Sequence, residues 1–144
     1  MSDLTRAPAP VALVDDNVHS ARLFLRTLAG NGYRARWLGN GDRGGRTLDA
    51  ILAGSETAPS LVVVDLKARS NATAQFIARH AERAKENGTI LVAMVHSLEA
   101  VHRNAALEAG AAAVFGRHSE RAEYHREMQA LLDFWARSAK RVGA

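Results

Sequence analysis

The sequence predicts an α/β protein with a doubly wound, five-stranded parallel sheet and helices on both faces. Short apolar runs alternate with stretches of helical spacing five times along the chain, the pattern of repeated β/α units. The inner runs, such as "LVVV" at 61–64, are apolar without alternation, as in strands covered on both faces. The run "YRARWL" at 33–38 alternates with arginine and predicts an edge strand.

The elements follow from these patterns in chain order. Strands are predicted over 11–14, 33–38, 61–65, 89–95 and 111–115, and helices over 20–30, 46–53, 72–86, 98–109 and 119–140. We expect residues 1–9 to form a flexible tail and residues 10–140 to form a single domain, with no effector domain attached.

Composition narrows the possible functions. The 144 residues, 47% of them hydrophobic, suit one core. Cysteine is absent, which excludes disulfides and thiolate catalysis. No leader pattern and no apolar stretch of membrane-spanning length is present, so we predict a cytoplasmic protein without membrane insertion. The 19 basic residues exceed the 15 acidic ones, but they are scattered, and we do not expect nucleic-acid binding.

Acidic residues stand where two of the predicted strands end. Asp15 and Asp16 follow the first strand, and Asp65 ends the third. Ligands of open parallel sheets bind beyond the carboxyl ends of the strands, so these acids converge if their strands are neighbours. Clustered carboxylates repel one another unless a hard cation such as Mg²⁺ lies among them. The pattern predicts one acid as a nucleophile or phosphate acceptor and the others as metal ligands.

The acidic pair, the lone Asp65 and the segment "AALEAGAAAVFGRH" at 105–118 together resemble the response-regulator receiver family, typified by CheY, over about residues 10–136. The resemblance implies a flavodoxin-like sheet in the order 2-1-3-4-5. It also implies Asp65 as the phosphoacceptor with Mg²⁺ as its cofactor. The metal ligands would be Asp65 itself, Asp16 directly, Asp15 through water, and the backbone carbonyl of Lys67.

Several positions depart from the pattern of this family. Val95 stands where the family has a switch Thr or Ser, and valine has no hydrogen-bond donor for a phosphoryl group. Ser97, or His96, is a possible substitute. Arg117 replaces the family's lysine, which exchanges a compact ammonium for a planar guanidinium. Val114 occupies the place of the aromatic switch residue. We therefore expect the phosphate-reading half of the site to be altered.

The resemblance implies a stand-alone, single-domain receiver in two-component phosphorelay signalling, not an enzyme. Its partners would be a histidine kinase or phosphotransfer protein and a downstream protein target, and it would be a monomer or weak homodimer. One alternative is a pseudo-receiver, a docking module whose output does not depend on phosphorylation. Another is a small-ligand binder, for example of a cyclic dinucleotide, through the basic residues Arg117, His118, Arg121 and Arg126.

Three further patterns favour structural interpretations. "GNGDRG" at 39–44 fits GxGxxG, but it follows a predicted edge strand, so we interpret it as a flexible loop. The six histidines lack ligand spacing and are predicted to be surface or loop residues. A helical stripe is predicted to pack in the core, with its last member, Trp135, the one expected to project into an interface; the stripe comprises Tyr124, Met128, Leu131, Leu132 and Trp135.

Overall fold

The computed structural model describes residues 9–55, 57–96 and 100–143. Its five strands are all parallel and lie in the order β2-β1-β3-β4-β5, which confirms the predicted fold class. The strands are β1 Val11–Asp15, β2 Ala35–Gly39, β3 Leu61–Asp65, β4 Ile90–Val95 and β5 Ala113–Gly116. Residues 1–8, most of the predicted tail, and Ser97, the possible substitute for the switch residue, lie outside the described residues.

Five helices connect and follow the strands. They are α1 Val18–Gly30, α2 Gly41–Ala50, α3 Ala72–Glu86, α4 Ala100–Ala109 and α5 Arg121–Gly143, and a π-helical turn at Ile51–Ser55 follows α2. Helix α1 begins where the side chain of Asn17 accepts a hydrogen bond from the Ser20 amide at 3.0 Å, an N-cap. None of the helices in the described ranges is both long and apolar enough to cross a membrane.

The core lies on both sides of the sheet. Val62 and Val64 pack in one hydrophobic cluster with the helices α2 and α3, whereas Leu61 and Val63 pack in the other with α1 and α5. All five residues of β1 and of β3 are buried. The continuous apolar runs therefore reflect burial on both faces of the central strands, while the alternating segment β2 lies at the edge.

The strand register brings the acids to one edge of the sheet. β1 and β3 are direct neighbours, and Asp15 lies opposite Asp65. At the same edge, Val95 at the end of β4 is paired with Gly116 of β5, next to Arg117. The neighbouring carboxyl ends of β1, β3, β4 and β5 thus position the candidate site.

The glycine-rich segment at 39–44 is not a flexible loop, and this part of the sequence interpretation was wrong. Helix α2 begins at Gly41, five residues before the predicted start at 46, and the Asn40 side chain caps it by accepting from the Arg43 amide at 2.9 Å. A Cβ atom at Gly44 would lie 2.9 Å from Cγ1 of Val14. Glycine is needed here because the helix packs closely on β1.

Two side chains lie deeper than their sequence context predicted. His80 is buried in α3, contrary to the surface or loop prediction, with its ring stacked on Phe76. Trp135 is buried as well, and its indole N–H donates to Oγ of Ser60 at 2.6 Å, so it does not project into an interface. The rest of the stripe on α5 is buried as predicted, because this face of α5 covers the sheet.

Candidate functional site

Asp65, the last residue of β3, is the centre of the candidate site. It is only 5% exposed, and both of its carboxylate oxygens have cationic neighbours. Arg117, just after β5, approaches Oδ1 with Nη2 at 2.6 Å and donates to it from Nε at 2.8 Å. Nζ of Lys67 lies 3.2 Å from Oδ2. The predicted acceptor is therefore held by two cations of the chain itself.

The Lys67 ammonium lies between the two facing acids. It donates to Oδ1 of Asp15 at 2.7 Å, to Oγ of Ser20 at 3.1 Å and to the backbone carbonyl of Asp65 at 3.3 Å. Because Lys67 is two residues after Asp65, its flexible side chain reaches back over the end of β3. The side chain of Lys67 was not among the predicted site groups, since only its backbone carbonyl was.

Both carboxylate oxygens of Asp15 accept hydrogen bonds. Its side chain is 1% exposed, and besides Lys67 it accepts from the Asn17 amide at 2.9 Å and from the Ser20 hydroxyl at 2.6 Å. The Trp37 indole N–H donates to its backbone carbonyl at 2.9 Å. The Asp15 carboxylate thus has three hydrogen-bond donors, of which one, Lys67, is a cation.

Asp16 points to the loop that follows β3. Its oxygens accept from the backbone N–H of Lys67 at 2.9 and 3.1 Å and from that of Ala68 at 2.9 Å. These bonds fix the backbone of the β3–α3 loop directly after Asp65. The residue predicted to be a direct metal ligand therefore serves here as an acceptor for loop amides.

Burial raises the pKa of Asp65 above its usual value of 3.8. The nearby charges of Lys67 and Arg117 lower it and offset part of that rise, and Asp15 adds to it by repulsion. The balance indicates that taking this carboxylate out of water costs more than the two cations return. Asp65 thus holds a proton more readily than an exposed aspartate does.

Val95 and Arg117 line a common cavity beside the acids. The cavity, about 460 Å³, lies between the β3–α3 loop and α4, and it is also lined by Lys67 and His96. The Arg117 amide donates to the Val95 carbonyl at 2.8 Å. Valine contributes no polar side-chain atom to this wall, whereas His96, Lys67 and Arg117 are among its polar lining residues.

The predicted ligands, as arranged here, do not fit a divalent cation. Asp15 and Asp65 are joined through the Lys67 ammonium, and the Asp16 carboxylate accepts the backbone amides of Lys67 and Ala68. Within the described ranges, no group of three or more His, Cys, Asp or Glu side chains is placed to hold a metal ion. An oxygen-rich metal site needs these carboxylates aimed at a common point.

The proposed small-ligand patch is divided by internal contacts. Arg117 is directed to Asp65, and Nδ1 of His118 lies 3.1 Å from Oε2 of Glu123. Arg121 and Arg126 are exposed on α5. Two of the four predicted residues, Arg121 and Arg126, therefore remain exposed. A third, His118, contacts the acid Glu123.

The side chains of Lys67 and Ser20 were not predicted to belong to the site. One signal was present, since a lysine two residues beyond a strand-end acid can fold back onto it. Ser20 is less visible, because its hydroxyl reaches Asp15 only through the tight start of α1. Spacing along the chain locates the backbone of such residues but leaves open where the side chains point.

Comparison with known proteins supports the fold. No protein-family model and no curated protein sequence matches the chain. Solved structures match it over most of its length. The phosphorylated cyanobacterial phytochrome response regulator RcpA is 17% identical with a TM-score of 0.69, covering 90% of this chain and 95% of that one. The Mn²⁺-bound response regulator Rcp1 is 18% identical with a TM-score of 0.67, covering 89% and 94%.

A third structure, the receiver domain of the response regulator NarL from Mycobacterium tuberculosis, is 22% identical with a TM-score of 0.61, covering 88% of this chain and 95% of that one. At these identities the three matches show a shared fold and no more. The chain has the fold of a response-regulator receiver domain.

Proposed function

We propose that this protein is a pseudo-receiver, a signalling module that docks on a protein partner whether or not Asp65 is phosphorylated. The observation that carries the proposal is the engagement of both oxygens of Asp65, Oδ1 by Arg117 and Oδ2 by Lys67. A phosphoryl group would have to displace at least one of these cations from a buried carboxylate.

Val95 supports the same interpretation. A ligand shifts a conformational equilibrium only by binding one state better than the other. A hydroxyl at this position would give the phosphorylated state a charge-assisted hydrogen bond of about 1 to 3 kcal/mol. Valine provides none, so a phosphate on Asp65 has little direct means of favouring a second state through β4.

The face formed by α4, β5 and α5 is the docking surface that we propose. Among the residues of α4 only Ala106 is buried, and Val101 is 67% exposed. Leu107 is exposed on the same helix. Exposed apolar side chains on a helix with a single buried residue suit a partner protein that contributes apolar side chains of its own.

A second candidate function is phosphoryl acceptance by Asp65 from a histidine kinase or phosphotransfer protein. It is favoured by the place of Asp65 at the carboxyl end of β3 with Arg117, a fixed positive charge, in contact with it. This candidate requires that the Lys67 contact opens. The predicted Mg²⁺ dependence belongs to this candidate alone.

An amide NMR titration with beryllofluoride and Mg²⁺, which together mimic an aspartyl phosphate, separates the two candidates. For the wild type we expect no shift at Val114 or at residues 100–109. Lys67→Ala should respond near Asp65 but not at that face, and Lys67→Ala with Val95→Thr should respond at both. A full response of the wild type at the docking face would overturn the pseudo-receiver proposal, and His96→Ala would then test whether His96 replaces the missing hydroxyl.

A further inference from the structure

The Lys67 ammonium has the surroundings of a bound cation. Four oxygens lie within 3.3 Å of Nζ, from Asp15, Ser20 and Asp65, the last contributing both a carboxylate and a carbonyl oxygen. The ammonium contacts both acids that face each other across β1 and β3. Lys67 is itself only 25% exposed, so solvent reaches this position poorly.

The charges of the two buried carboxylates are balanced without an added ion. The buried carboxylates of Asp15 and Asp65 face the positive charges of Lys67 and Arg117. A divalent cation placed between the two acids would lie close to both positive side chains, and like charges at such distances repel strongly when they are shielded from water. Binding a metal therefore requires Lys67 to leave first.

Asp16 helps to keep Lys67 in place. Its carboxylate accepts the backbone N–H groups of Lys67 and Ala68, which fixes the start of the lysine side chain beside the acids. Asp16, the predicted direct metal ligand, thus positions the lysine whose ammonium lies between the other two acids.

We propose that Lys67 is a built-in cation that occupies the place of a divalent metal ion at this site. This inference rests on the proposed pseudo-receiver function and gives it a physical basis, since side chains of the chain itself neutralise the two buried acids. It makes the folded protein indifferent to Mg²⁺ and Mn²⁺. It also implies that one substitution creates a metal site.

The test is a Mn²⁺ titration of the full chain, with free Mn²⁺ measured by electron paramagnetic resonance. We expect no binding by the wild type at millimolar Mn²⁺. Lys67→Ala should bind at least about tenfold more tightly, because it removes a neighbouring positive charge. Lys85→Ala, at an exposed lysine of α3, is the matched control and should behave as the wild type. Adding Asp65→Asn to Lys67→Ala should abolish the gained site.

Binding of Mn²⁺ by the wild type, or equal weak binding by Lys67→Ala and Lys85→Ala, would overturn the inference. If Lys67→Ala fails to fold, Lys67→Gln, which keeps most of the side-chain length, takes its place. A measurement on the wild type alone also tests the inference, namely the ¹⁵N NMR signal of the Lys67 ammonium with and without Mg²⁺. An unchanged signal in Mg²⁺ supports the built-in cation, and a signal that shifts to that of a free lysine contradicts it.

The Mn²⁺ titration and the beryllofluoride titration can fail separately. The Mn²⁺ titration involves neither phosphate nor partner, so displacement of Lys67 by metal overturns the inference while leaving the docking face untested by that result. Conversely, a response of the wild-type docking face to beryllofluoride overturns the pseudo-receiver proposal even where the Mn²⁺ affinity is low. The two failures are therefore distinguishable.

Discussion

Replacing Arg117 with alanine removes two contacts from one oxygen of Asp65, at 2.6 and 2.8 Å. Hydrogen bonds to charged groups contribute about 1.5 to 3 kcal/mol each, and breaking a buried ion pair costs about 3 to 5 kcal/mol. Two features reduce the loss. The Arg117 side chain is 23% exposed, and Lys67 remains 3.2 Å from the other oxygen. We expect the free energy of unfolding to fall by about 2 to 3 kcal/mol near pH 7.

The loss should depend on pH in a definite direction. Burial raises the pKa of Asp65 above 3.8 in the wild type, and Arg117 lowers it, so Arg117→Ala raises this pKa further. A folded state with the higher pKa binds the proton more tightly than the unfolded chain, and its stability falls as pH rises from 3.8 through the folded pKa. The difference between wild type and variant should therefore be smallest at low pH and grow toward neutral pH.

Urea unfolding near pH 4 and near pH 7, followed by tryptophan fluorescence, measures this difference, and carboxyl-resolved NMR measures the pKa of Asp65. Arg126→Ala is the control, because Arg126 is exposed on α5, and we expect it to change stability by less than about 0.5 kcal/mol. A near-wild-type unfolding free energy together with an unchanged Asp65 titration would refute the reasoning and place the guanidinium in solvent.

Three further substitutions test separate parts of the account. Asp65→Asn should keep the fold and not reduce thermal stability at neutral pH, because burial raises the pKa of Asp65; a loss above about 2 kcal/mol would show that Arg117 and Lys67 depend on its charge. Gly44→Ala should cost about 1 to 3 kcal/mol in urea unfolding, since its Cβ would lie 2.9 Å from Val14, whereas Gly30→Ala meets nothing within 4 Å; equal effects would contradict close packing of α2. Trp135→Phe should cost about 1 to 2 kcal/mol through the lost bond to Ser60 and the smaller ring, and wild-type stability would argue that the indole is not in the core.

The fold was predictable because strands that are buried on both faces consist of apolar residues in the sequence. The run Leu61 to Val64 has no polar residue, and a strand of this kind is typical of the interior of a sheet covered on both faces. The acids at the ends of β1 and β3 then had to lie at one edge. Their pairing, Asp15 opposite Asp65, follows once these strands are neighbours.

Side-chain direction was less predictable. Lys67 has a long flexible side chain, and its position in the chain does not tell whether the ammonium points to solvent or back to Asp15. The glycines at 39–44 matched a loop pattern, yet Gly44 lies in helix α2. At this position the helix packs closely on Val14. The sequence shows where glycine stands but not which close contact requires it.

A crystal structure grown in millimolar Mn²⁺, with anomalous data collected to locate the metal, tests the built-in cation most directly. We expect Nζ of Lys67 within hydrogen-bond distance of Asp15 and Asp65, at the 2.7 and 3.2 Å seen here, and no anomalous peak between these acids. A Mn²⁺ peak ligated by Asp15, Asp16 or Asp65, with the Lys67 side chain turned to solvent, would contradict it.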